Sequence, residues 1–338
     1  MPKDLIVVGA SAGGIEALRT LVSGLPKEFN ASVFIVLHSA PQSPQILDTI
    51  LERVGPLPVT TAVDGERIRQ GRIYVAPPDR HLIIEPGVVR VTRGPRENRF
   101  RPAIDPLFRS AAQVYGPRVI GVILTGGLDD GVAGLWAVKQ LGGTAIVQDP
   151  DEALFDSMPR NALQFVRADY RLPIVEVAPR LVELTRQASK EGAYKVPEHV
   201  EIEVKIAKED PSLKAGVMKL GDPSIYTCPE CHGVLLQMKE ENRIRFRCHA
   251  GHAFSIDSLI AAVNDGVEES LWSAVRSLEE KILLMRHLAE HVRGSGNGAN
   301  AEQFLKVARE AEGQANLVRR AVTRDKERVP VQGDTKAP

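Results

Sequence analysis

The feature that most constrains this chain is a regular alternation of apolar runs and helical segments over residues 1–186. Four runs are short and continuously apolar, as in strands that are buried on both faces of a sheet: 5–8, 32–37, 118–124 and 144–147. Segments with helical spacing lie between them. Strands that alternate with helices form a doubly wound, mostly parallel sheet, and the predicted fold class is therefore α/β.

The pattern changes between Val59 and Val91. Three short runs, 72–75, 81–84 and 88–91, are separated by turns that are rich in proline and glycine. Closely spaced strands with short turns pair with one another, so we expect a β-hairpin or meander that is added to the main sheet.

The remainder of the chain divides into four parts. Residues 187–224 are rich in Lys and Glu, and we expect a linker with one solvated strand from Val200 to Ile206. A small module with all the cysteines follows at 225–256. Residues 257–326 are helical, and 327–338 are expected to be a disordered tail.

The helical part carries two apolar seams with alternating spacings of four and three residues. The first seam runs from Leu271 to Val292 and the second from Phe304 to Val322, with a Gly- and Asn-rich turn between them. Two heptad seams joined by a short turn predict an antiparallel helical hairpin. We expect any regulatory protein partner to bind these C-terminal helices.

Composition excludes several classes of protein. The chain has 338 residues, with 43 Lys and Arg against 43 Asp and Glu, so its formal net charge is zero. A nucleic-acid binder needs a basic surface, so we expect no nucleic-acid partner. No run approaches the roughly 18 apolar residues of a membrane span, and the N-terminal run is too short for a signal peptide. We therefore expect a cytoplasmic protein without membrane insertion.

The strongest local motif is the turn Gly9-Ala-Ser-Ala-Gly-Gly14, which follows a predicted strand and opens a predicted helix. G-x-S-x-G in that setting is typical of a nucleophile elbow, in which Ser11 lies at a helix N-terminus. A phosphate-binding turn of the Rossmann type would need a glycine where Ser11 stands. A tight turn without chemistry is the third interpretation.

Two further side chains end strands at the same predicted edge of the sheet. His38 ends the second strand and is a candidate general base. The third strand leads into a loop with Asp129 and Asp130, either of which has the chemistry to orient the imidazole of a Ser-His-Asp triad.

Six motifs in this order resemble the catalytic domain of the chemotaxis-receptor protein-glutamate methylesterases (CheB), over residues 4–180. The motifs lie at 9–14, 36–38, 74–81, 101–105, 124–131 and 148–159. The resemblance implies hydrolysis of γ-glutamyl methyl esters on chemoreceptor-like proteins, often with glutamine deamidation, and without a cofactor for catalysis. The methylated receptor is the implied partner.

The resemblance also assigns roles to residues. Ser11 matches the family's nucleophile, His38 its general base and Asp130 its triad aspartate, while Asp129 falls on a variable position. The backbone N–H groups of Ala12 and Gly127 would form the oxyanion hole, although the family usually has methionine where Gly127 stands.

The motif at residue 9 leaves no room in this chain for the receiver domain that precedes the catalytic domain in the chemotaxis enzyme. We therefore expect regulation through the other end of the chain or through a partner. The alternative function is a signalling or interaction module on the same fold with weak catalysis.

An arginine-rich stretch precedes Asp105. Its members are Arg90, Arg93, Arg96, Arg99 and Arg101. A solvated loop is the favoured interpretation, and a docking patch for an acidic receptor segment is the alternative.

The cysteines form a predicted metal site. Cys228 and Cys231 make a C-x₂-C pair, and Cys248 and His252 make a C-x₃-H pair. Two such pairs supply the four ligands of tetrahedral structural zinc, and the segment resembles a zinc ribbon. His249 and His232 compete with His252 for the fourth position. A metal-free or redox-active cysteine pair is the alternative.

Overall fold

The computed structural model describes residues 1–189, 194–238, 240, 243–294 and 298–325. The chain divides between Leu259 and Ile260 into two compact units. The first unit contains a parallel sheet with its helices and a smaller antiparallel sheet, and the second contains long helices. The tail predicted at 327–338 lies outside the described residues.

The main sheet has seven strands, and every pairing in it is parallel. Its strands are β1 (Leu5–Ala10), β2 (Ser32–Leu37), β3 (Val59–Thr61), β4 (Ile73–Val75), β7 (Val119–Ile123), β8 (Thr144–Gln148) and β9 (Tyr170–Leu172). They lie in the order β3-β4-β2-β1-β7-β8-β9. Strands β2, β3 and β4 lie on one side of β1, and strands β7, β8 and β9 lie on the other side. The strand order therefore reverses at β1, and the crevice for a site lies at the carboxyl ends of β1, β2 and β7.

Helices cover both faces of this sheet. Leu5 and Val7 of β1 belong to the core beneath α3 (Ile104–Tyr115), α4 (Val132–Gln140) and α5 (Ser157–Phe165). Ile6 and Val8 belong to the core beneath α1 (Gly14–Ser23) and α6 (Ile174–Thr185). Successive strand residues point to opposite faces, so burial on both faces explains the continuous apolar run and confirms the doubly wound fold class.

The predicted hairpin is present, with a different place in the topology. β5 (His81–Glu85) and β6 (Val88–Thr92) pair with each other as a separate two-stranded sheet. β4, which the sequence grouped with them, pairs in parallel with both β2 and β3 instead. The short helix α2 (Leu47–Glu52) precedes β3.

The strand predicted from Val200 to Ile206 is wrong: α7 (Glu198–Ala207) is a helix, and α8 (Ser212–Ala215) follows it. α7 buries two faces against different neighbours. Val200 and Val204 pack with Ala137 of α4, whereas Ile202 and Ile206 pack with the small sheet. Each of these apolar stripes has i, i+4 spacing, and together they place an apolar residue at every second position. Such alternation of apolar and polar residues is the pattern of a strand.

The cysteines lie in a four-stranded antiparallel sheet, which we call the ribbon (221–255). Its strands are β10 (Gly221–Thr227), β11 (Val234–Met238), β12 (Arg245–Cys248) and β13 (Ala253–Ser255). The ribbon begins at Gly221, ahead of the predicted start at 225, and it belongs to the same compact unit as the main sheet.

The C-terminal helices are α9 (Ile256–Gly294) and α10 (Gly298–Asp325). Ile282 of α9 packs with Ala311 and Ala315 of α10. Two ion pairs give the relative direction of the helices. Arg286 pairs with Glu312 at 2.5 Å, whereas Glu279, which lies earlier in α9, pairs with Arg319, which lies later in α10. The two helices therefore run antiparallel. None of the helices in the described ranges has the length and apolar content that crossing a membrane requires.

Candidate active site

Ser11 lies in the turn between β1 and α1, at the carboxyl edge of the main sheet. Gly13 in this turn has a φ of 72°, a left-handed conformation that glycine adopts without strain. Gly126 in the neighbouring loop approaches the serine closely, because a Cβ at Gly126 would lie 2.8 Å from the Ser11 Cβ. Glycine at these two positions therefore lets the backbone bring Ser11 to the edge of the sheet.

His38 directly follows β2, beside Ser11. Its Nδ1 lies 3.0 Å from the Ser11 Oγ, and its Nε2 lies 2.7 Å from Oδ2 of Asp130. One imidazole therefore connects the hydroxyl with the carboxylate, as a general base requires. The His38 side chain is only 3% exposed, because Phe100 covers one face of the ring.

Asp130 is buried in the loop after β7 and accepts several hydrogen bonds. Besides His38, the backbone N–H of Ile104 donates to it at 2.6 Å and Nδ2 of Asn98 donates at 2.9 Å. Burial alone would raise the pKa of Asp130. The hydrogen bond and charge of His38, with the Ile104 and Asn98 donors, outweigh burial and lower this pKa, so Asp130 stays ionised.

The adjacent Asp129 faces away from the imidazole. Its Oδ1 accepts a hydrogen bond of 2.5 Å from the Ser255 hydroxyl at the end of the ribbon. Burial raises the pKa of Asp129 to about 6, and the charges of Asp257 and Asp130 add to this effect, while the Ser255 bond opposes it. Of the two aspartates that the residues alone left open, Asp130 is the one that contacts His38.

Three residues around the site were missed by sequence reasoning: Asn98, Phe100 and Asp105. Phe100 and Asn98 lie in the arginine-rich loop, and no periodicity marks them. Asp105 was part of a matched motif without a role; here its Oδ2 accepts from Asn98 Nδ2 at 3.0 Å. Burial, followed by the nearby charge of Asp130, raises the pKa of Asp105 to about 7.

The two amides expected in the oxyanion hole lie in the loops beside Ser11. Neither the Ala12 N–H nor the Gly127 N–H donates to an acceptor among the residues that the structure describes. A Cβ built on Gly127 would meet no atom within 4 Å. The space beside Gly127 is therefore open.

A cavity of about 370 Å³ opens above Ser11 and His38. Three of the five clustered arginines line it: Arg96, Arg99 and Arg101. Arg101 pairs with Asp79 at 2.6 Å, and Arg96 lies 3.5 Å from Glu230. Three arginines thus line the cavity beside Ser11, and Asp79 and Glu230 balance part of their charge.

A second cavity, of about 410 Å³, also borders His38. Most of its lining is apolar and comes from the segment 39–46, from α1 and α2 and from the ends of β2 and β4, including Ile15, Leu37, Ile46 and Val75. His38 therefore borders two cavities, one lined by arginines and one that is mainly apolar.

The cysteine cluster forms a compact donor set in the ribbon. The ligand atoms of Cys228, Cys231, Cys248 and His252 all lie within 4.8 Å of one another. Cys231 Sγ lies 3.7 Å from Cys248 Sγ, and Cys248 Sγ lies 3.5 Å from His252 Nδ1. Tetrahedral zinc with bonds of about 2.0–2.3 Å separates its ligand atoms by similar distances, so the donor set fits zinc.

The competing histidines stand outside this donor set. His249 packs beside Gly233, where an added Cβ would lie 2.4 Å from its imidazole Cε1. His232 adopts a φ of 60° in the turn after Cys231. His252 is the histidine whose nitrogen lies among the three sulfur atoms.

A hydroxyl, an imidazole and a carboxylate in line at the carboxyl edge of a doubly wound sheet are the arrangement of serine hydrolases. The family model of the CheB methylesterases matches residues 6–181, which is just over half of the chain. The chain belongs to the CheB methylesterase family, whose members are carboxylic ester hydrolases.

Individual relatives match the same half. A Leptospira interrogans protein, provisionally named a protein-glutamate methylesterase/protein-glutamine glutaminase, is 40% identical over 185 residues, which are 54% of this chain and 96% of that one. Protein-glutamate methylesterase/protein-glutamine glutaminase 2 of Anaeromyxobacter dehalogenans is 39% identical over 54% of each chain. The crystal structure of the Thermotoga maritima CheB methylesterase catalytic domain aligns with a TM-score of 0.52 at 35% identity, over 54% of this chain and 98% of that one.

Proposed function

We propose that this protein hydrolyses the γ-methyl esters of glutamate side chains in a receptor-like protein, with Ser11 as the nucleophile, His38 as the general base and Asp130 as the group that orients His38. The observation that carries the proposal is the pair of hydrogen bonds through one imidazole, 3.0 Å to Ser11 and 2.7 Å to Asp130. The names of the relatives support the ester as the substrate.

The reaction follows from these contacts. His38 Nδ1 accepts the Ser11 proton while Oγ attacks the ester carbonyl, and Asp130 stabilises the imidazolium that forms. The tetrahedral intermediate collapses, and methanol leaves with the proton from Nδ1. Water activated by His38 then releases glutamate from Ser11. A glutamine side chain enters the same sequence with ammonia as the leaving group.

The intermediate's negative oxygen needs donors that are already oriented. We assign this role to the backbone N–H groups of Ala12 and Gly127, which have no acceptor in the described chain. One such donor typically contributes about 10²–10³ in rate. No side chain fills the space beside Gly127, so this part of the loop has fewer packing contacts to hold its N–H in place.

The walls of the site indicate the kind of segment that binds. The cavity with Arg96, Arg99 and Arg101 suits the acidic residues that surround a methylated glutamate, and complementary charge aids association. The apolar cavity beside His38 suits aliphatic side chains of the same segment. A methylated, acidic, receptor-like protein is therefore the proposed partner.

Zinc belongs to this proposal as a structural ion. Cys228, Cys231, Cys248 and His252 would hold it, and the four protein ligands leave no position for a reacting water. Zinc would link the two turns of the ribbon. Reduced cysteine ligands also suit a cytoplasmic location. A regulatory partner that binds the C-terminal helices stays a prediction.

Methanol release tests the proposal. The substrate is a synthetic acidic peptide with one glutamate γ-methyl ester, and the proteins are the wild type, Ser11→Ala and Ser23→Ala. Ser23 is an exposed serine on the same helix that follows the turn, so its substitution controls for handling. We expect release by the wild type and by Ser23→Ala, and a background rate in Ser11→Ala. Equal rates in the wild type and Ser11→Ala would exclude the proposed chemistry.

A further inference from the structure

Residues 96–100 form a tight loop between the active site and the ribbon, which we call the Asn98 loop. Asn98 and Arg99 have positive φ angles of 50° and 77°. Glu97 and Phe100 exchange two backbone hydrogen bonds, of 3.2 and 2.9 Å, across the turn. Two-residue turns of this kind favour Asn and Gly, so Arg99 in the left-handed region is strained. Contacts from outside must therefore hold the loop.

The side chain of Asn98 supplies contacts in two directions. Its Nδ2 donates to Oδ1 of Asp130 at 2.9 Å and to Oδ2 of Asp105 at 3.0 Å. Its Oδ1 accepts from the Ser255 N–H at 2.9 Å and from the Ser258 hydroxyl at 3.2 Å. The amide thus uses both N–H groups and both lone pairs. A flipped amide would place oxygen against two carboxyls, so the network fixes its orientation.

The ribbon also holds the backbone of this loop. The Asn98 N–H donates to the Ala253 carbonyl at 2.8 Å, and the Ala253 N–H donates to the Arg96 carbonyl at 3.2 Å. The buried carboxylate of Glu97 bonds to Arg247 of β12 at 3.0 Å. One face of the loop is therefore anchored to β12 and β13, while Phe100 at its end contacts His38.

We propose that Asn98 is a positioning residue for the Ser-His-Asp triad and that the ribbon, together with the first turn of α9 that follows it, keeps Asn98 in place. Asn98 is buried behind Asp130, with 4% of its surface exposed, and acts through that carboxylate. The ribbon thereby completes the active site from behind. This inference rests on the proposed function of Ser11, His38 and Asp130.

The size of the expected effect follows from what remains when the amide is removed. Asp130 keeps the Ile104 N–H and His38 as partners, so catalysis weakens without being abolished. A displaced catalytic group typically costs about 10²-fold in rate. Loss of the Ser258 hydroxyl leaves the Ser255 N–H on the amide oxygen, so that variant is milder.

The test compares the wild type, Asn98→Ala and Ser258→Ala, with Ser270→Ala as an exposed-serine control on α9. Values of kcat and KM are measured with the γ-methyl ester peptide, and kcat is expressed per Ser11 that reacts with a fluorophosphonate probe. We expect kcat to fall about 10–10²-fold in Asn98→Ala and about 3–10-fold in Ser258→Ala, with KM within twofold. Ser270→Ala should equal the wild type.

Amide hydrogen exchange provides the second measurement. In Ser258→Ala, residues 96–100 should exchange faster while β1 does not. An unchanged kcat per reactive Ser11 in Asn98→Ala would overturn the positioning role. Unchanged exchange of the loop in Ser258→Ala would overturn the role of the ribbon and the first turn of α9 in holding it. A wild type without Ser11-dependent turnover would instead overturn the proposed function, and the role of Asn98 would fall with it.

Discussion

Phe100 lies flat against the imidazole of His38, with ring centroids 3.6 Å apart and planes 7° from parallel. Asp130 lies 2.7 Å from Nε2 at the edge of the same ring. Phe100 therefore prevents the imidazole from tilting and Asp130 prevents it from rotating, so Nδ1 points at Ser11 before any substrate binds. Catalytic groups that are oriented in advance need no reorganisation during the reaction.

Removal of the Phe100 ring should free the imidazole to tilt. We expect Phe100→Ala to lower kcat about tenfold, because a misplaced general base transfers protons less efficiently. Phe100→Tyr retains the stacked ring and should stay within about twofold of the wild type. Steady-state kinetics with the methyl ester peptide measure both variants. Equal kcat in Phe100→Ala and the wild type would show that the stacking does not orient His38.

Gly126 and Gly127 form a matched pair beside Ser11. A Cβ at Gly126 would lie 2.8 Å from the Ser11 Cβ and 2.6 Å from the Met158 Cε, whereas a Cβ at Gly127 meets open space. We expect Gly126→Ala to reduce kcat/KM at least about 10²-fold by displacing Ser11, and Gly127→Ala to retain wild-type activity. Circular dichroism checks that both variants fold. Strong loss in Gly127→Ala, or none in Gly126→Ala, contradicts this packing.

The sequence predicts those parts of the site that follow directly from buried strands. Ser11 comes one residue after β1 and His38 comes one residue after β2, and adjacent parallel strands end at one edge. Apolar runs locate these strands, so the two side chains are found together without any knowledge of loops. The glycine turn and the order of the motifs add the resemblance.

Residues whose positions depend on long-range contacts escape such reasoning. Asn98 and Phe100 lie in an irregular loop, and the Asn98 loop takes its shape from Ala253 and Arg247, about 150 positions farther along the chain. α7 was mistaken for a strand because its two apolar stripes meet separate neighbours. Local patterns carry no information about which surface each stripe contacts.

Asp129 should make stability depend on pH. Burial, with Asp257 and Asp130 nearby, raises its pKa from 3.8 to about 6 in the folded protein. The folded state therefore binds the proton more tightly, and the free energy of unfolding from this group falls as the pH rises from about 4 to 6. Asp129→Asn removes the titration and still accepts from Ser255. It should exceed wild-type stability by about 3 kcal/mol at pH 8, since each unit of pKa shift corresponds to about 1.4 kcal/mol, and show little difference at pH 4.

Urea unfolding of both proteins at pH 4, 6 and 8 measures this difference, and Asp151→Asn serves as the exposed control. A stability difference that is the same at all three pH values contradicts the raised pKa of Asp129.

Removal of zinc should loosen the Asn98 loop. Cys248 follows Arg247 directly, and His252 precedes Ala253, so two residues that hold the loop neighbour two proposed ligands. Treatment with a chelator should release about one equivalent of zinc and increase hydrogen exchange at 245–255 and 96–100, because metal binding contributes to folding. Peptide ester turnover should fall with it.

Zinc returned to the chelated protein should restore slow exchange, whereas magnesium should not. Cys231→Ser gives the same comparison without chelator, since Cys231 is the exposed ligand. If residues 96–100 exchange equally fast in the zinc-free and the zinc-loaded protein, the metal does not hold the loop.

Arg99 should determine affinity for acidic substrates. Its side chain lines the cavity above Ser11 and His38, where acidic residues of a bound segment would lie. Arg99→Glu should raise KM for an acidic methyl ester peptide about tenfold, with little change in kcat, because it replaces attraction by repulsion at binding. A neutral peptide with the same ester should show a change of less than about threefold, since it carries no charge to repel.

Arg320→Glu makes the same charge change on exposed α10, and its KM should match that of the wild type. Steady-state measurements at low and high salt complete the test, because screening should narrow the difference between Arg99→Glu and the wild type. Equal KM increases for the acidic and the neutral peptide would show that Arg99 shapes the cavity without selecting charge.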